Sequence, residues 1–144
     1  EPVAEKQTPS TPYSAKFSGH FCAAIGIIDQ AAGLKQFTEE RTTDPVVLEL
    51  TSKITHAIDP NDEYPKNYSG HLIVTLEDGS TQEVRQPHLR GGIKEPLTRE
   101  EIDTKFRANV LFGGWSDKQA DALQAWCSAL FKKPDLADMK EFRA

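Results

Sequence analysis

The clearest alternation of apolar and polar positions lies between Gly70 and Gly92, GHLIVTLEDGSTQEVRQPHLRGG. Two extended runs flank Asp78-Gly79, a dipeptide that readily takes the positive φ angles of tight hairpin turns. Leu72, Val74 and Leu76 alternate with Ile73, Thr75 and Glu77, so one face of the first strand is mostly apolar. The second strand, Thr81 to His88, offers Val84 as its large apolar residue. A two-residue loop would pair Val84 with Ile73, on the wrong face. A three-residue loop with a bulge is therefore expected, pairing Val84 with Val74, because a one-residue slip sends every side chain to the other face. Pro87 makes the second strand an edge or ends it. Such a hairpin needs its apolar face laid against helices.

Helical spacing appears on both sides of it. Phe17, Phe21, Ala24, Ile25 and Ile28 fall on one face of a helix running to Gln30, and Cys22, Ala23 and Ile27 fill much of the rest. That helix should be buried nearly all round. Ser14 or Ser18 caps it, and Gly33 is the expected stop. Before it, Glu1 to Tyr13 carries Pro2, Pro9 and Pro12 among polar residues and reads as an extended arm or linker, or at its start as the tail of a strand begun upstream. After it, Phe37 to Asp44 reads as a charged connection. Asp44-Pro45 announces a short helix over 46–52. Ile54, His56 and Ile58 alternate as in a strand, and 60–69 is a polar loop. Beyond the hairpin, Thr98 and Glu101 form a capping box opening a helix with Ile102, Phe106 and Val110 inside. Gly113-Gly114 ends it. Ser116 and Gln119 make a second box, followed by Ala120, Leu123, Trp126, Cys127 and Leu130 at helical spacing. Pro134 closes that helix, and Asp135 caps a last one striped by Leu136, Met139 and Phe142. The expected fold is α+β in two layers, with an antiparallel sheet of about three strands packed against helices.

A chain of 144 residues with 38% hydrophobic and 27% charged residues is one ordinary soluble domain by length, following the arm over 1–13. The net charge of −5 removes the electrostatic case for nucleic acid. No apolar run approaches the roughly 20 residues of a membrane span. Two cysteines set among helix-core residues point to reduced thiols in a cytoplasmic compartment. The start at Glu-Pro-Val, without an initiator Met, reads as a processed, trimmed or partial chain.

Candidate chemistry is sparse. His20, His56, His71 and His88 lack the spacing of zinc ligands, so no metal is expected. Phosphate-binding and nucleophile-elbow motifs are absent. Glu100-Glu101 stands where a helix start favours acids, and Glu39-Glu40 lies in the charged connection; neither pair reads as acid/base catalysis. His20, on the first turn of the apolar helix, is either a satisfied structural histidine or a substrate-facing one. Arg90 and Lys94, beside Gly91-Gly92, are either solvated charge or a cradle for an anion.

Four segments add a resemblance. AKFSGHFCAAIGIIDQAAGLKQFTEERTTDP is similar to the main-helix segment of the MmgE/PrpD family's C-terminal domain. VTLEDGS resembles its hairpin, and RGGIKEPLTREEIDTKFRANV resembles its G-x-x-x-x-P-L-t-x-e-e-l-x-x-K-F signature. The likeness covers about residues 9 to 112, in the family's order and spacing. That family includes 2-methylcitrate dehydratase, cis-aconitate decarboxylase and iminodisuccinate epimerase. The resemblance implies a small α+β domain closing a cleft against a large helical N-terminal domain. It implies lyase or isomerase chemistry on small di- or tricarboxylates, no metal or organic cofactor, and a homodimer for the whole enzyme. Such reactions need a base for the proton beside a carboxylate, an acid, and cations to hold the carboxylates.

The chain departs from the family where it matters for chemistry. The helical domain with most acid/base residues is absent, an active-site tyrosine of some members would fall near Val3, and the aromatic in the helix start is Phe21, without a hydroxyl. Ser18 matches the family serine, whose plainest role is capping. The expectation is a C-terminal domain inactive alone, with Lys16, Ser18, His20, Arg90 and Lys94 as candidate substrate-pocket residues. The competing expectation is a free-standing binding or assembly domain derived from the family.

Overall fold

The computed structural model describes residues 3–143. The chain forms two compact units, one of residues 1–56 and 103–144, the other of residues 57–102. The fold is α+β.

In the first unit, α1 (Val3–Gln7) and α2 (Pro12–Ala15) occupy the stretch expected to be extended. Its residues 1 and 2 lie outside the described ones. Thr11 and Ser14 close a capping box around Pro12, which suits a first helical position. Tertiary hydrogen bonds then hold α1. The Ser18 hydroxyl donates to the Lys6 carbonyl, the Thr51 hydroxyl donates to the Gln7 carbonyl at 2.7 Å, and Gln7 Nε2 donates to the Ile54 carbonyl at 3.2 Å. These bonds give a polar segment a fixed place that its composition does not announce.

α3 (Gly19–Asp29) begins at the Ser18 cap and ends at Gln30, whose left-handed φ of 51° terminates it three residues before Gly33. Arg41 explains the early stop. Its guanidinium grips Asp29 at 2.6 Å and also Asp44, the cap of α5 (Pro45–Lys53), so the chain must leave α3 there to turn back. The charged connection between them is not featureless. Thr38 caps the short helix α4 (Glu39–Thr42), with Glu39 and Glu40 in its first turn, where the helix dipole favours them.

The core follows from two helical stripes. Phe21, Ala24 and Ile25 on α3 meet Val47 on α5 and Ala15 on α2, all fully buried, with Phe37, Leu50 and Ile54 packed against them. The Phe21 and Phe37 rings lie 5.9 Å apart in a tilted arrangement. The rest of α3 is less buried than its composition suggests: Phe17, Ile27 and Ile28 are exposed. Residues 54–58 form no strand, because no neighbour offers them a ladder, and Ile58 stands exposed.

Later in the chain, α6 (Arg99–Phe112) carries no buried residue, and Ile102, expected inside, is exposed. It ends in a Schellman motif. Gly114 takes a φ of 91°, its N–H bonds the Leu111 carbonyl, and the Trp115 N–H bonds the Val110 carbonyl at 3.0 Å. Ser116 and Gln119 then cap α7 (Asp117–Ser128) reciprocally. Arg107 of α6 reaches Asp117 at 2.8 Å and also Asp121, so charge ties the two helices across the turn. Cys127 is exposed, and Cys22 is half-buried. The last apolar stripe forms a 3₁₀ turn over Ala137–Phe142 rather than an α-helix.

The second unit holds the hairpin of β1 (Gly70–Thr75) and β2 (Thr81–Gln86), an antiparallel pair where about three strands were expected. Its loop has three residues, as the pattern requires, but they are Glu77, Asp78 and Gly79, with Gly79 at a φ of 82°. Val84 therefore pairs with Leu72 rather than Val74. The apolar face is preserved, because the shift is two residues and not one. Asp78 Oδ1 favours this loop by accepting from the Ser80 N–H at 2.9 Å. No strand residue is buried, and Val84 stands 65% exposed, so the expected covering of this face is not seen.

Candidate functional site

The chemistry that the sequence singles out clusters at the start of α3. Ser18 sits at the cap with 1% of its surface exposed. Its hydroxyl accepts from the Phe21 N–H at 3.0 Å while donating to Lys6. Both hydrogen-bonding roles are thus spent on structure, and no general base faces it as in a nucleophilic serine. His20, two residues on, is 6% exposed, and its Nε2 has no hydrogen-bond partner. A satisfied structural histidine would have one, and a buried ring nitrogen without one is costly. Lys16 lies in the turn before the cap, exposed, with no partner for its ammonium among the described residues. Cys22 follows at the next turn, its thiol 3.7 Å from the Ala15 carbonyl. Burial pushes this thiol above its ordinary range, so at neutral pH it is protonated and not a thiolate nucleophile.

Arg90 and Lys94 belong to the other unit. Arg90 is no free cation: it bonds Glu95 at 3.2 Å and also Glu101. The hydrogen bond and charge of Glu101 hold its guanidinium even further above the ordinary range. Glu101 in turn is drawn below the ordinary carboxylate range, first by the Thr98 N–H of its capping box and then by Arg90. Gly91, at a φ of 89°, and Gly92 form the turn whose N–H groups bond Glu95 and Leu89 carbonyls. Lys94 is exposed and makes no bond among the described residues. Of the five candidates, then, Lys16, Ser18 and His20 share one helix start. Lys94 is an uncommitted cation, and Arg90 is committed to its neighbours. No three metal-ligating side chains come together among the described residues. No helix among them is long and apolar enough to cross a membrane.

The segment carrying these residues lies inside a longer likeness. The family described as MmgE/PrpD C-terminal domain matches residues 2–129. The chain belongs to the MmgE/PrpD family. Among curated relatives of this MmgE/PrpD domain, the cis-aconitate decarboxylase of Homo sapiens is 30% identical over 103 residues, covering 71% of this chain and 21% of the relative. The cis-aconitate decarboxylase of Mus musculus is 28% identical over 104 residues, with the same shares. The domain thus spans about a fifth of the length of the curated relatives it matches.

The sequence reading missed a second place of interest. Gly113, Gly114, Trp115 and Lys118 line a cavity with Glu141, Phe142 and Arg143. The signal available was the run Gly-Gly-Trp-Ser, a helix stop and a new cap around one aromatic. The part played by 141–143 has no local signature.

Proposed function

We propose that this chain is the cleft-closing C-terminal domain of an MmgE/PrpD-type lyase or isomerase acting on small di- or tricarboxylates. The match of residues 2–129 to the C-terminal domain family carries the reading. The names of both relatives, cis-aconitate decarboxylases, support a small polycarboxylate as the substrate class. In this reading a helical N-terminal domain completes the site, the complete enzyme is a cofactor-independent homodimer in the cytoplasm, and this domain supplies one wall.

On that wall the start of α3 is the part suited to an anion. His20 brings an imidazole nitrogen that lacks a partner, Lys16 brings an unpaired cation, and the helix start contributes partial positive charge. Ser18 holds the turn. Lys94 is a further cation for a carboxylate, and Arg90 positions Glu101 instead of binding substrate. Proton abstraction beside a carboxylate also requires a tuned base and its acid partner in a water-poor cleft, and these fall to the helical domain.

The test assays the purified chain on cis-aconitate, 2-methylcitrate and iminodisuccinate, alone and with a separately produced helical domain of the family. No turnover is expected from the chain alone. Turnover is expected on reconstitution, and it should fall on His20→Ala. Turnover by the chain alone, abolished by His20→Ala, would overturn the reading and make the domain an enzyme by itself.

A further inference from the structure

A second site lies at the corner between α6 and α7. The Schellman turn at Gly114 and the capping box at Ser116 fix that corner and leave Trp115 at its apex. A cavity of about 660 Å³ opens there, within the roughly 300–1,000 Å³ usual for small-molecule sites. One wall is Trp115, half-buried. The other is Phe142, which comes from beyond the family match ending at residue 129.

That second wall is not loose chain. The Phe142 ring packs edge-on against Trp126 at 6.0 Å between centroids. The Trp126 indole N–H donates to Asp138 at 2.9 Å, Lys133 donates to the same carboxylate at 2.6 Å, and its ammonium lies 5.3 Å from the Trp126 ring. Asp138 is drawn below its ordinary range by these two bonds, Lys133 first. The aromatic wall is therefore set before any ligand arrives, which lowers the cost of binding.

The charges around the cavity are uncommitted. Lys118 and Arg143 line it, both exposed, and neither has an ion pair or side-chain hydrogen bond among the described residues. Glu141 lines it too, likewise without a partner. Two cations against one anion leave a single net positive charge facing two aromatic rings.

We propose that this cavity binds a small aromatic monocarboxylate, its ring against Trp115 and Phe142 and its carboxylate on Lys118 and Arg143. Aromatic faces take a planar ring, and a guanidinium takes a carboxylate through paired N–H donors. Glu141 repels a second carboxylate, so polyanions are disfavoured. The site is separate from the start of α3 and does not depend on the function proposed above.

The experiment is calorimetric titration of the full chain with 3-phenylpropionate, its neutral amide, propionate and citrate. Saturable binding is expected for 3-phenylpropionate. The amide and propionate should bind weaker by about tenfold or more, each lacking half of the recognition. The exposed-charge variant Lys118→Gln/Arg143→Gln should weaken binding by about tenfold, and Glu141→Gln should strengthen it, because it removes a repelling charge. Far-UV circular dichroism checks that these surface variants keep the fold. No saturable binding, equal binding of acid and amide, citrate binding as tightly as 3-phenylpropionate, or weakening by Glu141→Gln would each overturn the proposal.

Discussion

Replacing Ser18 by alanine separates what holds the start of α3 from what holds α1. The hydroxyl makes two bonds at a site 1% exposed: it accepts the Phe21 N–H at 3.0 Å and donates to the Lys6 carbonyl. Loss of an N-cap of this kind costs about 0.5–2 kcal/mol. Loss of a donor to a carbonyl that water cannot easily reach adds about 0.5–1.5 kcal/mol. Ser18→Ala should therefore destabilise by about 1–3 kcal/mol in total. Thr51→Val is its partner experiment. It keeps the shape at a fully buried site but removes the donor to the Gln7 carbonyl at 2.7 Å, and should cost about 0.5–2 kcal/mol. Both changes release the same short helix, so the double variant should cost less than the sum of the two. Urea unfolding followed by circular dichroism measures all three, and amide exchange at Thr8, whose N–H bonds the Ala4 carbonyl, reports on α1 directly. An unchanged midpoint for Ser18→Ala would refute the double bonding of that hydroxyl. Strict additivity would show that α1 is not one element held at two points.

Gly79→Val should cost about 1–3 kcal/mol, because a β-branched residue resists the φ of 82° although nothing crowds its Cβ; an unchanged thermal midpoint would mean that the loop has rearranged. Ser116→Ala should cost about 0.5–2 kcal/mol by unpairing the Gln119 N–H, and amide exchange confined to the start of α7 would report it. Glu101 titrates below the ordinary carboxylate range, so its contribution is complete above that range and is lost as pH falls through its depressed folded value. Acid should therefore loosen the start of α6 in wild type, and Glu101→Gln, which keeps hydrogen bonding but not charge, should flatten that dependence when followed by nuclear magnetic resonance of the Thr98 amide.

Local chemistry was legible in the sequence wherever a short-range rule acted. The Thr98 and Ser116 boxes, the Asp44-Pro45 start, the Gly113-Gly114 stop and the three-residue hairpin loop each depend on residues within a few positions of one another. The readings that failed depended on partners far along the chain. Helix α1 is held by Ser18 and Thr51, 12 and 44 positions from the carbonyls they bond. The strand over 54–58 had the right alternation and no neighbour to pair with. The hairpin partner of Val84 slipped by two residues because loops over Glu77–Gly79 and Asp78–Ser80 satisfy the same facial pattern. At the candidate site, the residue types at the start of α3 were readable, whereas the missing partner of His20 Nε2 and the commitment of Arg90 to two glutamates were not. Those are facts of packing, and a list of residue types does not contain them.

The fully buried apolar cluster is drawn from residues 15 to 47, while α6 and both hairpin strands have no buried residue. Opening free energy is therefore graded along this molecule rather than shared evenly. The slowest-exchanging amides belong in α3 and α5, where unlocking a single backbone group means exposing Phe21, Ile25 and Val47 together. The hairpin and α6 open at lower cost, each by itself, and a protease should nick the loop at 57–69 long before it reaches the segment between Ser18 and Thr51. A core of this kind makes the start of α3 the most rigid place in the chain on which to mount a reactive side chain, and the hairpin the part that a neighbouring surface can most readily reshape.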